Sequence, residues 1–197
     1  MILANTRIAL VHDWLDTWRG GENVLAALFE LFPQADLFTV VDFLPEALRG
    51  RIGGRRAATT FVQRLPFARR RFRAYLPLMP TAIESLDLRP YDLVVSISHA
   101  VAKGVRTHPG QRHLCYCLTP MRYAWDLSEQ YLEVSGVGRG LKGLAARALL
   151  ARLRAWDRAA SERVDDFVAI SGYVAERIRR CYGRESTVIH PPVDTGF

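Results

Sequence analysis

The sequence has few cysteines and no long uninterrupted apolar run. Its three cysteines, Cys115, Cys117 and Cys181, are odd in number and widely spaced, which is not the pattern of a secreted disulfide framework. We therefore expect a reducing compartment and a cytoplasmic location. No apolar run approaches the roughly 20 residues that a membrane-spanning helix needs, so any contact with a membrane is expected at its surface.

Several catalytic motifs are also missing. The chain has no Asp-x-Asp pair for a divalent metal, no Walker A loop and no nucleophile elbow. His113, Cys115 and Cys117 lie at two-residue spacing on one side of a predicted strand and could hold zinc or copper. A buried strand facing the core explains the same spacing, and we expect no metal site.

The charged residues are unbalanced. Lys and Arg together number 27 against 20 for Asp and Glu, a formal net charge of +7. This excess favours an anionic partner, which could be nucleic acid, a phosphorylated ligand or an anionic membrane, although an arginine-rich surface can also simply keep a protein soluble. Because the sequence contains no recognised nucleic-acid-binding module, we expect no nucleic-acid partner.

Apolar runs alternate with helical patterns along the chain, which is typical of βαβ units around a parallel sheet. The hydrophobic fraction of 49% suits a packed domain. We predict one α/β domain over residues 1–190, a single Rossmann-like doubly wound parallel sheet. Its predicted strands are residues 7–11, 35–41, 57–61, 92–97, 111–117, 166–170 and 186–189. A double proline follows, and residues 191–197 are expected to begin an interdomain linker.

Ligands of a doubly wound sheet bind beyond the carboxyl ends of the strands, so the loops that follow strands are candidate sites. After the first strand come residues 12–14 (HDW) and then Gly20, Gly21 and Glu22 at the start of a predicted helix. Two glycines let the backbone approach a ligand, and a helix amino terminus offers N–H groups to phosphate. A tight strand-to-helix turn explains the glycines equally well.

Two later loops carry further candidates. His99 follows the strand at 92–97, and Lys103 lies four residues on, one helical turn away; they could contact a hydroxyl or phosphate, or be a helix start and a surface lysine. The loop at 119–126 (TPMRYAWD) combines Arg122, which suits phosphate, with Tyr123 and Trp125, whose ring faces suit sugars. Alternatively, the two rings belong to a small satellite core.

Residues 63–80 interleave arginines with aromatic and aliphatic residues. Arg69, Arg70, Arg71, Phe72 and Arg73 could lie in a lipid headgroup layer, with the arginines on phosphates. The same composition could contact RNA or form a solvated basic loop. We expect peripheral contact with an anionic membrane surface at its inner face.

Five segments, taken in order, resemble the family 4 glycosyltransferases of the GT-B architecture. The likeness is closest to bacterial mannosyltransferase-like members of polysaccharide biosynthesis, and it covers residues 11–194. The segments are VHDW…RGGENVL, LPLMPTAIESLDLRPYDLVVSISHAVAKGV, HLCYCLTPMRYAWDL, RAWDRAASERVDDFVAISGYVAERI and VIHPPVD.

This resemblance implies a retaining hexosyltransferase without a cofactor or catalytic metal, built of two Rossmann-like domains that face a cleft. The first domain binds a lipid-linked or oligosaccharide acceptor, and the second binds most of a GDP- or UDP-sugar. By the resemblance, Gly20, Gly21 and Glu22 would approach the donor diphosphate. The acceptor side would be lined by His99, Lys103, Arg122, Tyr123 and Trp125.

The sequence departs from the family pattern in two ways. Many relatives have His-Thr-Pro after the fifth strand, with the histidine beside the transferred sugar, whereas this chain has Leu118. Leucine cannot bond a sugar hydroxyl, so an alternative is a non-catalytic Rossmann-like module that binds an anionic glycan or lipid phosphate. The carboxyl-terminal donor-binding domain is absent from these 197 residues, which we expect to be a domain of a longer enzyme or a truncated reading frame and not to complete the transfer alone.

Overall fold

The structure, a computed structural model, describes residues 6–125 and 140–193. Its strands are β1 (Ile8–His12), β2 (Asp36–Thr39), β3 (Ala58–Thr59), β4 (Leu93–Ser98), β5 (Arg112–Cys117), β6 (Asp166–Ala169) and β7 (Thr187–Val188). Its helices are α1 (Gly20–Leu31), α2 (Glu46–Arg49), α3 (Ala68–Arg71), α4 (Met79–Glu84), α5 (Arg122–Trp125), α6 (Gly140–Ser161) and α7 (Gly172–Tyr182). Short 3₁₀ helices lie at Gly50–Ile52, Phe61–Arg64, Phe72–Leu78 and Ala102–Gly104.

The described strands form one parallel sheet in the order β3-β2-β1-β4-β5-β6-β7. The chain winds from β1 towards one edge and then from β4 towards the other, so the direction of winding reverses between β1 and β4. This order confirms the predicted α/β, Rossmann-like doubly wound sheet. Ile8 pairs with Leu93 and His12 with Ile97, which brings the carboxyl ends of the two central strands to the same level.

Both faces of the sheet are buried. Successive residues of β1 point to opposite faces, and Val11 packs in a core with Leu153 of α6, whereas Leu10 packs in a core with Leu25 of α1. Burial on both faces explains why the strands read as nearly continuous apolar runs in the sequence.

The segment at residues 63–80 divides into short pieces, as its mixed composition predicts. The 3₁₀ helix Phe61–Arg64 is followed by α3 and then by the 3₁₀ helix Phe72–Leu78. Among the described helices, none is both long and apolar enough to span a membrane. Residues 191–193 have no regular secondary structure. Residues 194–197 lie outside the described ranges, so the linker remains a prediction.

His113 on β5 is a buried histidine whose two ring nitrogens both have hydrogen-bond partners within the protein. Its Nδ1 lies 3.3 Å from the carbonyl oxygen of Arg163, and its Nε2 lies 2.9 Å from Oγ of Ser96. Since a carbonyl oxygen only accepts, Nδ1 carries the proton and Nε2 accepts from the serine hydroxyl. Burial lowers the pKa of His113 to about 4, so the folded protein keeps the ring neutral.

We predict that His113 makes the fold sensitive to mild acid. Between pH 6.5 and pH 4 the unfolded chain binds a proton at His113 that the folded chain does not, so stability falls as the pH falls through this window. The lowered pKa of His113 should contribute about 3 kcal/mol to the loss. Urea unfolding at pH 7 and pH 4 should show a smaller loss in His113→Gln than in the unmodified protein. Equal losses in both proteins would contradict the assignment.

Candidate functional site

A pocket of about 450 Å³ lies where the carboxyl ends of β1 and β4 meet. Loops that leave these two strands turn to opposite sides of the sheet, and the crevice between them is the usual ligand site of doubly wound folds. The pocket walls come from the loops after β1, β4 and β5, together with one side chain of the 3₁₀ helix Phe72–Leu78. Parallel-sheet topology therefore brings together three of the loops that the sequence marks as candidates.

Asp13, directly after β1, is fully buried and holds the loop that follows β4. Its Oδ2 accepts hydrogen bonds from the backbone N–H groups of His99 at 2.6 Å and Ala100 at 3.0 Å. Its Oδ1 accepts from the N–H groups of Val101 and Ala102, both at 2.6 Å. Hydrogen bonds to an ionised acceptor are stronger than neutral ones, and four of them offset the desolvation of this carboxylate.

His99 adds a fifth bond to the same carboxylate and faces the pocket. Its Nδ1 lies 2.8 Å from Oδ2 of Asp13, and its ring meets Trp14 edge to face at 4.7 Å between centroids. Burial lowers the pKa of His99, but the charge of Asp13, the hydrogen bond to its carboxylate and the charge of Glu22 together outweigh burial and raise the pKa above its ordinary value. The protonated ring is favoured, and both of its nitrogens then act as donors.

Helix α1 begins at the rim of the pocket. Glu22 is buried in the first turn, and its Oε2 accepts the backbone N–H of Arg19 at 2.7 Å. This carboxylate fixes the start of the helix and lies near the positive end of the helix dipole. Glu22 and Arg19 both line the pocket.

The two glycines of α1 have different surroundings. A Cβ at Gly21 would lie 2.9 Å from Cδ1 of Leu118 and 3.2 Å from Nε2 of His12, closer than nearly all real Cβ contacts. A Cβ at Gly20 would meet nothing within 4 Å, and Gly20 does not line the pocket. A side chain at position 21 would therefore have to displace the Leu118 side chain, whereas position 20 has room for one.

Arg73 and Trp14 form an aromatic and cationic wall. The Arg73 guanidinium lies over the rings of Phe72 at 4.4 Å and Trp14 at 5.8 Å, and it pairs with Asp16 at 2.7 Å. Trp14, Asp16 and Arg73 all line the pocket. Cation–π contacts of this kind hold the guanidinium in a defined position.

The loop after β5 completes the pocket with Leu118, Thr119, Arg122 and Tyr123. Oγ1 of Thr119 accepts a hydrogen bond from Nη1 of Arg177 on α7 at 2.6 Å, which anchors the loop. Of the predicted site residues, this loop and the loops after β1 and β4 bring together Gly21, Glu22, His99, Leu118, Arg122 and Tyr123. Asp126, the last residue of the predicted loop, lies outside the described ranges.

Two predicted acceptor residues, Lys103 and Trp125, lie elsewhere. Lys103 is 2% exposed; its ammonium pairs with the carboxylate of Asp157 on α6 and donates to the carbonyl of Ala100 at 3.2 Å. Trp125 donates from Nε1 to Oδ2 of the same Asp157 at 2.8 Å. Both side chains belong to a buried polar network, which corrects their expected place at the acceptor.

The predicted membrane-contact residues 69–73 lie in different environments in the structure. Phe72 is 3% exposed and packs on Trp14 at 5.6 Å, and Arg73 lines the pocket, so neither fits the predicted membrane contact. Arg69, Arg70 and Arg71 are exposed as predicted. Phe67, an aromatic residue of the same segment, directly precedes α3 and is 77% exposed.

Sequence reasoning assigned no role to His12, Asp13, Trp14 or Asp16. Their position in the sequence could have indicated a role, because residues 12–14 follow a buried strand and must therefore lie at the carboxyl edge of the sheet. What the sequence hides is the partner of Asp13, a backbone segment 86 residues away.

Across residues 6–125 and 140–193, no three or more histidine, cysteine or acidic side chains are grouped so that they could hold a metal ion. Cys115 and Cys117 are buried with free thiols in the core beneath α7. His113 is engaged by Ser96, as described above.

Comparison with known proteins matches residues 18–197, most of the chain, to the family model described as Glycosyltransferase Family 4. A search of curated proteins found no match.

We predict that Asp13→Asn destabilises the protein by about 3–5 kcal/mol, because the variant loses a buried charge pair and turns an NH₂ group towards backbone donors. Urea unfolding measures the change. The control is Asp16→Asn, whose ion pair with Arg73 is partly exposed and should contribute less than about 1 kcal/mol. Equal stabilities of the two variants would contradict the role of Asp13.

Proposed function

Because the chain belongs to glycosyltransferase family 4, we propose that its cleft takes part in transferring a hexose from a nucleoside-diphosphate sugar to an acceptor hydroxyl. The domain would be the acceptor-side half of a retaining GT-B enzyme, with most donor contacts supplied by a second domain. In the reaction, the bond from the anomeric carbon to the diphosphate oxygen breaks, a bond to the acceptor oxygen forms, and the proton of the acceptor hydroxyl passes to the leaving nucleoside diphosphate.

The main support for this proposal is that cationic side chains and the amino terminus of a helix line the same pocket. His99 favours its protonated form, Arg19 and Arg122 line the same space, and α1 begins beside them. A diphosphate gains negative charge as the sugar leaves it, and donors already fixed in place stabilise that charge.

The pocket also suits a sugar ring. Trp14 and Tyr123 offer aromatic surfaces to such a ring. We propose a mannose-like hexose from GDP or UDP as the donor, and a lipid-linked or oligosaccharide hydroxyl as the acceptor. Leu118 would present an apolar contact where many relatives place a histidine.

Glu22 has a different role in this account from the one that the resemblance implies. Its carboxylate is an anion and would repel a diphosphate, while its Oε2 already accepts the N–H of Arg19. We propose that the backbone of Gly21 approaches the diphosphate, and that Glu22 holds the helix start in place.

We predict that Gly21→Ala weakens the binding of sugar nucleotides by about tenfold or more, which corresponds to roughly 1.4 kcal/mol. The added methyl group would lie 2.9 Å from Cδ1 of Leu118 and intrude on the pocket. Isothermal titration calorimetry with GDP-mannose and with UDP-glucose measures the effect.

Gly20→Ala is the matched control, because its methyl group meets nothing within 4 Å and adds the same helix propensity. Adding Leu118→Ala to Gly21→Ala should restore part of the binding by returning space. Equal binding by the two glycine variants would contradict the proposed site.

We further propose that the domain meets an anionic membrane, at the inner face, through the surface around α3. Phe67 is 77% exposed, and Arg69, Arg70 and Arg71 follow it on the surface. An exposed aromatic ring beside exposed arginines suits a headgroup layer, with the ring inserted and the guanidinium groups on phosphates. A lipid-linked acceptor would then be reached from the same surface.

We predict that replacing Arg69, Arg70 and Arg71 with serine weakens binding to anionic vesicles on the order of 100-fold, since each basic residue contributes roughly 1 kcal/mol near such a surface. Phe67→Ser should weaken it further. Co-sedimentation with phosphatidylglycerol-containing and with neutral vesicles measures both, and added salt should reduce the binding of the unmodified protein.

A charge-matched control replaces Arg158, Arg179 and Arg180, three exposed arginines of α6 and α7, with serine. This control should keep most of the vesicle binding. Equal loss in the two triple variants would reduce the effect to net charge and would contradict a specific membrane surface at α3.

A further inference from the structure

His12 places a buried, unsatisfied imidazole nitrogen at the edge of the pocket. The side chain is 1% exposed, and Nδ1 lies 3.0 Å from the carbonyl oxygen of Trp14. Within the described part of the chain, Nε2 has no hydrogen-bond partner. Buried polar groups are nearly always satisfied, so an unsatisfied one beside a ligand pocket calls for an explanation.

The contacts of His12 fix which atom carries the proton. A carbonyl oxygen only accepts, so Nδ1 is the N–H and Nε2 holds a lone pair when the ring is neutral. Burial lowers the pKa of His12 despite the nearby charges of Glu22 and Asp13, which keeps the ring neutral. Nε2 of His12 is therefore a hydrogen-bond acceptor that needs a donor. The protonated ring of His99, in contrast, donates hydrogen bonds.

A second acceptor lies beside Nε2. Oε1 of Glu22 is 4.0 Å away, which is too far for a direct hydrogen bond. Two acceptors at this separation match a group that carries two neighbouring O–H donors. Two adjacent hydroxyls of a hexose have this chemistry, whereas a phosphate dianion offers acceptors only.

The position of Nε2 fits such a ligand. It lies 3.2 Å from where a Cβ of Gly21 would be, and Cδ1 of Leu118 borders the same point at 2.9 Å. Leu118 is only partly buried, and we expect a change of its rotamer to admit a ligand to Nε2. Gly21 adds no side chain at this point.

We propose that Nε2 of His12 and Oε1 of Glu22 accept hydrogen bonds from two adjacent hydroxyls of the sugar in the cleft, which makes His12 a specificity-determining residue. This inference rests on the proposed function, because it concerns the sugar that the cleft receives. It assigns to β1 the imidazole contact that Leu118 cannot make from the loop after β5.

The test uses two variants that separate the two ring nitrogens. In His12→Asn the amide nitrogen can still donate to the carbonyl of Trp14, but nothing remains at the position of Nε2. In His12→Gln the longer amide can place an oxygen acceptor near that position. Thermal unfolding checks that both variants fold.

Calorimetry measures the affinity for each of four probes. The affinity for GDP is compared with that for GDP-mannose, and the affinity for UDP with that for UDP-glucose. His12→Asn should bind each nucleotide sugar about tenfold more weakly, the equivalent of roughly one to two hydrogen bonds, while its affinity for GDP and UDP stays unchanged. His12→Gln should recover part of the loss. In the unmodified protein, the ¹⁵N resonance of Nε2 should report an unprotonated nitrogen that shifts with GDP-mannose and not with GDP.

The outcomes separate this inference from the proposed function. If His12→Asn binds nucleotide sugars as well as the unmodified protein, or weakens nucleotides and nucleotide sugars equally, the role of His12 is overturned and the proposed function stands. A protonated Nε2 in the free protein overturns it as well. If the unmodified protein binds none of the four probes, both proposals are overturned together.

Discussion

The cleft depends on the buried carboxylate of Asp13. The carboxyl ends of β1 and β4 are adjacent because the two strands pair where the sheet reverses its winding. Asp13 joins them through four backbone N–H groups and the ring of His99. One buried charge thus fixes the shape of the pocket floor and, through the raised pKa of His99, part of its electrostatic character.

The pocket that results combines two kinds of polar group. His99 and Arg122 offer positive charge and N–H donors, which suit a diphosphate. His12 and Glu22 offer acceptors, which suit hydroxyl groups. A nucleoside-diphosphate sugar carries both kinds of group within one molecule, so membership of glycosyltransferase family 4 and the distribution of donors and acceptors support the same class of ligand.

Much of the fold could be predicted because the apolar periodicity of a doubly wound sheet is local, and the loops after β1, β4 and β5 could be chosen as sites because parallel strands share an edge. The errors came from long-range partners. Lys103 was placed on a helical face one turn from His99, but the chain forms a short 3₁₀ helix there, and its ammonium meets Asp157, 54 residues away. Phe72 was assigned to a membrane on composition, yet it packs against Trp14 from the first loop.

We expect a sugar nucleotide to bind at the point where the sheet reverses its winding. Mapping of backbone amide shifts during titration with GDP-mannose tests this most directly. The perturbed amides should cluster in the loops after β1, β4 and β5, with the largest changes at Gly21, His99 and Leu118. Perturbations confined to another surface of the domain, or no perturbation at millimolar ligand, would contradict it.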